Sequence, residues 1–257
     1  AGGAPHRIRL DGRGKGAHPL KNDIFDSLIL IGRPASGKSE IIDYLSSLES
    51  EDRRRRFHLG ELFVSDDFPL LWSWFEEDKL LARMGRPRLH TDREGFFKQD
   101  YFWDLLVQRL CLEYDKHRAE QAEGSTVIVE FSRGSSHGGY DRAFRQLSSR
   151  VLEKAVVLYV EVSFEESLRK NSRRFNPQAP HSILEHSLPE EKMRRLYGAD
   201  DWSRFGGQDS GYLSLGDLRV PYAVFANEKD HTSAGGEQLG GPLERCCQRL
   251  WELAAER

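Results

Sequence analysis

Residues 32–39, with the sequence GRPASGKS, constrain the fold of this chain more than any other segment. They lie between an apolar run at residues 24–31 and a stretch at residues 40–48 whose apolar positions recur at helical spacing. The run predicts a buried parallel strand, and the spacing predicts a helix. A strand, a loop bracketed by glycines and a helix, in this order, form the Walker A pattern, in which backbone N–H groups surround phosphates. The sequence therefore predicts a phosphate-binding loop in an α/β fold.

Each residue type in this loop has a physical role. Gly32 and Gly37 allow dihedral angles and close approaches that a side chain forbids. We expect Lys38 to reach the outer phosphates as a catalytic group, and the Ser39 hydroxyl to bind Mg²⁺. The residues predicted to contact the nucleotide are Gly32, Arg33, Pro34, Ala35, Ser36, Gly37, Lys38, Ser39 and Glu40.

The rest of the chain alternates short apolar runs with helical patterns. This alternation predicts an α/β protein of the P-loop NTPase fold, whose mainly parallel, five-stranded sheet has helices on both faces. The predicted strands are at residues 24–31, 57–64, 126–131, 155–162 and 220–225. Residues 1–21 are predicted to be a flexible arm and residues 22–257 one domain, with a helical insertion at 69–120 and a lid-like region at 165–200.

Charge and cysteine content limit the partners and the compartment. The formal net charge is only −3, which argues against a nucleic-acid partner. We expect the arginine run at residues 53–56 to be a solvated turn. No apolar run approaches the length of a membrane span and no export signal opens the sequence, so no membrane partner is predicted. The chain has three cysteines, two of them adjacent, which suits neither a disulfide framework nor a zinc site. We expect a cytoplasmic protein.

Acidic residues follow two of the predicted strands. Asp66 and Asp67 come after the second strand, and Glu130 ends the third. The carboxyl ends of parallel strands form the ligand crevice of such sheets, so these residues are candidates for catalysis and metal binding. Either aspartate could act as a general base or bind the substrate or metal, although an Asp at a helix start is also a common N-cap. Glu130 is predicted to serve Mg²⁺ or the substrate, with a structural ion pair as the alternative.

Two further features follow later strands. Arg169, Arg173 and Arg174 can share one face of a helix after the fourth strand, where they could bind the transferred phosphoryl group or form a solvated basic face. His137 lies in a loop rich in glycine and serine, and we expect it to be exposed.

Several of these segments resemble those of known kinases. Residues 32–39, 65–68 and 127–130 resemble the P-loop, "DDF" and "VxEG" signatures of relatives of uridine kinase and nicotinamide riboside kinase. Residues 157–174 resemble the strand and arginine lid of nucleoside and nucleotide kinases, and residues 222–227 resemble their last strand and adenine-side loop, which implies that Asn227 binds the nucleotide. Phe131 stands where these kinases usually have glycine.

The resemblance implies ATP, Mg²⁺ and phosphoryl transfer to a small-molecule acceptor such as a nucleoside, nucleotide or sugar, with Asp66 or Asp67 near that acceptor. A nucleotide-responsive regulatory module, which hydrolyses ATP slowly or not at all, is the alternative. Phe131 and the unfamiliar insertion at residues 69–120 favour this alternative. The oligomeric state is not predicted.

Overall fold

The computed structural model describes residues 23–121, 123–174, 188–207 and 209–257 of the 257 in the chain. The predicted arm at residues 1–21 lies outside the described residues. So do residues 175–187, in the middle of the predicted lid-like region.

The strands form one six-stranded sheet in the order β2-β3-β1-β4-β6-β5. The first five strands in this order are parallel, and β5 pairs with β6 in the antiparallel direction. Strands β1 and β3 are buried along their whole length. Such burial is expected of continuous apolar strands in a sheet that is covered on both faces. The strands are β1 Ser27–Gly32, β2 Glu61–Asp66, β3 Ser125–Phe131, β4 Ala155–Glu161, β5 Ser210–Leu215 and β6 Leu218–Ala226.

The sheet therefore has one strand more than predicted. The additional strand β5 forms a hairpin with β6, and the two-residue turn between them consists of Gly216, at φ +61°, and Asp217. Glycine and aspartate in such a turn tolerate the positive φ values that tight hairpins require. The Gly-Asp pair was the available signal for this strand. The strand predicted within residues 57–64 starts at Glu61 and extends to Asp66, and Phe57 belongs to the preceding helix.

Helices cover both faces of the sheet. Side chains alternate across each strand, so Ile29 and Ile31 of β1 pack in one core and Leu28 and Leu30 in the other. The helices are α1 Lys38–Ser47, α2 Ser50–Phe57, α3 Asp67–Arg83, α4 Tyr101–Glu120, α5 Gly139–Gln146, α6 Ser149–Leu152, α7 Phe164–Arg174, α8 Glu190–Tyr197, α9 Trp202–Phe205, α10 His231–Ala234 and α11 Gly236–Ala255, and a short 3-10 helix spans Ser135–His137. Among the helices of the described residues, none combines the length and the apolar character needed to cross a bilayer.

The arginine run at residues 53–56 is helical, so the prediction of a solvated turn is wrong. Arg53 is buried in α2 and donates hydrogen bonds to the carbonyl oxygens of Gly60, at 2.8 Å, and Leu48, at 3.1 Å. Arg56 pairs with Glu237 and Glu244 of α11 at 3.0 and 2.8 Å. Long arginine side chains can satisfy loop carbonyls and distant carboxylates, which the local sequence does not reveal.

Helices α3 and α4 make up most of the segment predicted as a helical insertion, and residues 84–100 connect them. Asp78 of α3 has no exposed surface and accepts hydrogen bonds from the N–H groups of Leu89 and Thr91, both at 2.6 Å, and from the Thr91 hydroxyl at 2.7 Å. Trp74 and Trp103 form a small apolar core between the two helices. The connection is therefore folded back on α3 rather than loosely attached.

Candidate functional site

The loop between β1 and α1 has the backbone that its sequence predicts. Gly37 lies at φ +111° and Ala35 at φ +56°, both in the left-handed region. A Cβ on Gly37 would lie 2.5 Å from the Thr232 Oγ1 and 2.7 Å from the Asn227 Nδ2, so only glycine fits there. Gly37 is also the N-cap residue of α1 and has no side chain to cap the first N–H groups. These groups, with the helix dipole, make the end of α1 suitable for an anion.

Neighbouring elements hold this loop from outside through its carbonyl groups. The Ser167 hydroxyl of α7 donates to the Pro34 carbonyl oxygen at 2.7 Å. Asn227 is fully buried, and its Nδ2 donates to the Ser36 carbonyl at 2.7 Å and to the Thr232 hydroxyl at 2.8 Å. Asn227 therefore holds the loop through the Ser36 carbonyl, and its contact with the nucleotide stays a prediction.

Arg33 also bonds to protein groups. Its Nη1 lies 2.7 Å from the Asp200 Oδ2 and donates to the Tyr197 carbonyl oxygen at 3.0 Å. Both side chains are largely buried. The predicted contact of the Arg33 side chain with the nucleotide therefore competes with an ion pair already present.

Lys38 connects the phosphate loop to the end of β3. Its Nζ donates to the Ser132 hydroxyl at 2.8 Å and to the Arg33 carbonyl at 3.1 Å, and it lies 3.8 Å from the Glu130 Oε1. Sequence reasoning paired Lys38 with the phosphates and missed Ser132. A signal for Ser132 existed, because residues two apart on an extended segment point to the same side, and Glu130 was already a candidate.

Asp66 and Glu130 are direct neighbours in the register of β2 and β3. The Asp66 Oδ1 accepts a hydrogen bond from the Phe68 N–H at 2.9 Å, so Asp66 is the N-cap of α3 as well as a site residue. Burial, together with the charges of Glu130 and Asp67, raises the pKa of Asp66 to about 8. A carboxyl group with such a pKa can take up and release a proton near neutral pH.

Asp67 is held differently. It is buried, and its Oδ2 accepts a hydrogen bond from the Nη1 of Arg133 at 2.6 Å. Arg133 is 2% exposed and also donates to the carbonyl oxygens of Ser132, at 2.7 Å, and Trp103, at 3.2 Å. Burial raises the pKa of Asp67, and the positive charge of Arg133 opposes this shift. The structure thus separates two adjacent aspartates that the sequence could not distinguish.

His137 is buried, and the expectation of an exposed side chain is wrong. Its ring stacks on Trp103 of α4 with centroids 4.0 Å apart, and its Nε2 accepts a hydrogen bond from the Gly134 N–H at 3.1 Å. Burial and the nearby charge of Arg133 lower the pKa of His137 to about 3, so the ring is neutral at pH 7 with its proton on Nδ1. This burial has a tertiary cause, because Trp103 of α4 covers the loop that carries His137.

The described part of the chain contains no group of three or more His, Cys, Asp or Glu side chains arranged to hold a metal ion. Magnesium in phosphate sites needs only one or two protein carboxylates beside phosphate oxygens and water. Ser39 and Glu40 lie in the first turn of α1, and Glu130 is close to Lys38. The crowding of acidic groups that raises the pKa of Asp66 is the environment in which a divalent cation is favourable. The donor set therefore fits Mg²⁺.

The three predicted lid arginines lie on α7. Arg169 pairs with Glu166 and, at 3.4 Å, with Asp230. Arg173 is exposed, and the side chain of Arg174 lies outside the described part of the chain. Contact of these arginines with a phosphoryl group stays a prediction.

Comparisons with known proteins give a fold-level likeness. No protein family model matches the chain, and no curated protein matches it. A solved, unliganded sugar kinase from a Janibacter species is similar over 90% of this chain and 97% of its own, with 13% identity and a TM-score of 0.43. Shikimate kinase from Acinetobacter baumannii, solved with shikimate, is similar over 67% of this chain and 76% of its own, with 12% identity and a TM-score of 0.32. Likenesses this distant identify neither an activity nor a substrate, so the function has to be argued from the site.

Proposed function

We propose that this chain is an ATP-dependent kinase that transfers the γ-phosphoryl group to a hydroxyl group of a small molecule. One observation carries the proposal. At one edge of the sheet, the phosphate loop brings the Lys38 Nζ to 3.8 Å from Glu130, and Glu130 is the register neighbour of Asp66, whose pKa is raised to about 8. A phosphate-binding cation and a carboxyl group able to accept a proton near neutral pH are the two protein groups that hydroxyl phosphorylation needs.

The roles follow from position. The backbone of residues 32–39 and the Lys38 ammonium bind the β- and γ-phosphates of ATP. Ser39 and Glu130 would hold Mg²⁺, which would offset the phosphate charge. Asp66 accepts the proton of the acceptor hydroxyl. Asp67 is the weaker candidate for the base, because Arg133 already occupies its Oδ2.

In this proposal three arginines of α7 cover the transferred phosphoryl group: Arg169, Arg173 and Arg174. Arginine suits this task because its planar guanidinium binds phosphate oxygens in pairs. For Arg169 this requires exchange of its partners Glu166 and Asp230 for phosphate oxygens.

The acceptor class proposed is a nucleoside, a nucleotide or a sugar-like molecule, bound where the insertion adjoins Asp66 and Asp67. A cytoplasmic location accords with the three cysteines, all of which are free thiols.

The test measures ADP release from ATP and Mg²⁺ with a panel of nucleosides, nucleotides and sugars. The proposal expects an acceptor that raises ADP release and becomes phosphorylated, and it expects Lys38→Ala to abolish this activity. Lys116→Ala is the control, because Lys116 is a half-exposed lysine of α4 paired with Glu113. Tight ATP binding without any acceptor-dependent turnover would support the regulatory module instead. Turnover of Lys38→Ala equal to that of the wild type would overturn the site assignment.

A further inference from the structure

The segment from α8 to residue 201 contacts both halves of the candidate site. Asp200 forms the ion pair with Arg33 of the phosphate loop. The next residue, Asp201, accepts hydrogen bonds from the N–H groups of Tyr140 at 2.7 Å and Asp141 at 3.1 Å, at the amino end of α5. The loop that carries Arg133 leads through the short 3-10 helix Ser135–His137 into α5. Two adjacent carboxylates therefore link the phosphate loop to the loop that holds Asp67.

Asp200 is itself fixed to the sheet. Its Oδ1 accepts a hydrogen bond from the Trp202 N–H at 3.1 Å, and its Oδ2 accepts one from the Tyr159 hydroxyl of β4 at 3.4 Å. The Tyr159 and Trp202 rings stack with centroids 4.2 Å apart. An aspartate held in this way presents its carboxylate to Arg33 in one orientation.

The same segment packs closely on the neighbouring loop. A Cβ at Gly134 would lie 1.9 Å from the Leu196 carbonyl oxygen, and the Ser135 N–H donates to the Ala199 carbonyl at 2.8 Å. Arg195 of α8 lies over the ring of Phe96, in the connection between α3 and α4, at 3.8 Å from the ring centroid. A displacement of α8 would therefore also disturb the connection between α3 and α4.

The phosphate loop depends on such external contacts. Two of its residues, Ala35 and Gly37, adopt positive φ, and Ala35 does so at a steric cost. The Ser167 and Asn227 hydrogen bonds hold the carbonyl groups of the loop from the side of α7 and β6. Arg33 holds it from the side of α8, through a side chain of the loop itself.

We propose that Asp200 is a positioning residue, which fixes the phosphate loop through its ion pair with Arg33. The proposal rests on the proposed function only in that residues 32–39 bind a nucleotide. Asp200 touches no reacting atom. Its loss should therefore weaken nucleotide binding by releasing the loop.

The experiment measures the Kd of the non-hydrolysable analogue AMP-PNP with Mg²⁺ by calorimetry, and the thermal unfolding midpoint, for each variant. We expect Asp200→Asn to raise the Kd about tenfold, as the loss of one charge-assisted hydrogen bond from the loop should. Arg33→Gln should raise it to a similar extent. The double variant should be no worse than either single one, because the two side chains act as one pair.

Asp26→Asn is the matched control. Asp26 precedes β1 at the opposite end of the sheet, pairs with Arg118 at 3.5 Å and accepts a hydrogen bond from the Tyr114 hydroxyl at 2.6 Å. Its replacement should lower the unfolding midpoint and leave the Kd for AMP-PNP unchanged, which separates loss of stability from loss of loop position. If Asp200→Asn does not fold, Arg33→Lys applies the same test, because lysine keeps the charge and loses the planar guanidinium.

The outcomes are distinct. Absence of AMP-PNP binding by the wild-type chain would overturn both the proposed function and this inference. Wild-type binding together with an unchanged Kd in Asp200→Asn and Arg33→Gln would overturn the positioning role alone. Equal rises in Kd for Asp200→Asn and Asp26→Asn would also overturn it, because the effect would then follow stability rather than the loop.

Discussion

Asp66 and Glu130 occupy paired positions on the neighbouring parallel strands β2 and β3, so two acidic side chains lie side by side at the edge where Lys38 arrives. Paired positions of adjacent strands point to the same face of a sheet, and like charges placed there repel. Burial, together with this repulsion, raises the pKa of Asp66 to about 8. Two consequences for the behaviour of the protein at different pH values can be tested.

The first concerns catalysis. A general base must be deprotonated, so kcat/KM for the acceptor should rise with pH and then level off. The Asp66 pKa of about 8 is that of the metal-free chain, and Mg²⁺ held by Glu130 should bring the levelling-off below pH 8. The pH profile of kcat/KM, measured from pH 5.5 to 9 on the wild type, checks this. Asp66→Asn should lose at least about a hundredfold in kcat, in keeping with the usual contribution of a general base. A flat profile in the wild type, with an active Asp66→Asn variant, would exclude Asp66 as the base.

The second concerns stability. An unfolded aspartate loses its proton near its ordinary pKa of 3.8, whereas Asp66 in the folded chain keeps it until about pH 8. Between these values the folded state binds more protons, so this residue lowers the free energy of unfolding as pH rises. Asn retains the N-cap hydrogen bond without the charge. Asp66→Asn should therefore be more stable than the wild type at pH 8, by up to about 5 kcal/mol, and not at pH 4. Urea unfolding at both pH values measures the difference, and an equal difference at both would contradict the raised pKa.

The pair of Asp67 and Arg133 should be far more important for stability than exposed pairs. Arg133→Met leaves a buried carboxylate without its partner and should lower the free energy of unfolding by about 3–5 kcal/mol. Adding Asp67→Asn should restore part of this loss, because the unpaired charge is then gone. Arg145→Met is the control: Arg145 pairs with Asp141 on the surface of α5, and its replacement should change stability by less than about 1 kcal/mol. Urea unfolding measures both arginine variants. Similar losses of unfolding free energy in the two would contradict the burial argument.

Gly37 should tolerate no side chain. Gly37→Ala combines a positive φ of 111° with a contact of 2.5 Å to the Thr232 hydroxyl, so we expect loss of AMP-PNP binding and a clear drop in the unfolding midpoint. Gly85→Ala tests the backbone effect alone, because Gly85 has φ +71° with nothing within 4 Å of the added Cβ. It should lower stability by about 1 kcal/mol and leave nucleotide binding intact. Normal AMP-PNP affinity in Gly37→Ala would mean that the loop does not bind in the conformation described.

Asp78 should anchor the connection between α3 and α4. Burial pushes its pKa upward, but hydrogen bonds from Thr91, Leu89 and His90 outweigh burial and lower the pKa to about 2. The stabilisation is therefore present above about pH 4 and is lost as pH falls towards 2. Asp78→Asn should lower the free energy of unfolding at pH 7 by about 2–3 kcal/mol. Urea unfolding measures this loss of free energy. Limited proteolysis shows whether residues 84–100 become accessible to cleavage. Wild-type resistance in Asp78→Asn would show that the hydrogen bonds do not hold the connection.

The parts of the site that were predicted from the sequence depend on local order in the chain. Residues 32–39 form a continuous motif, and Asp66, Asp67 and Glu130 follow strands, so their common edge follows from a parallel sheet. Arg133 and Asp200 were missed because their partners, Asp67 and Arg33, lie far away in sequence. Burial of His137 was missed for the same reason, since Trp103 of the insertion covers it. Their positions follow from packing between elements, which periodicity and spacing do not describe.

The order of the strands has a consequence for how such a protein can change over evolution. The phosphate loop leaves β1, which has a strand on each side, whereas the insertion leaves β2, the edge strand, and returns to β3 beside it. Residues added to or removed from the connection between α3 and α4 alter the outer margin of the sheet and do not displace β1. Selection can therefore remodel the part that adjoins Asp66 and Asp67 while the phosphate loop keeps its geometry. Under the proposed function, new acceptors would then be accessible through loop-length changes as well as through point substitutions.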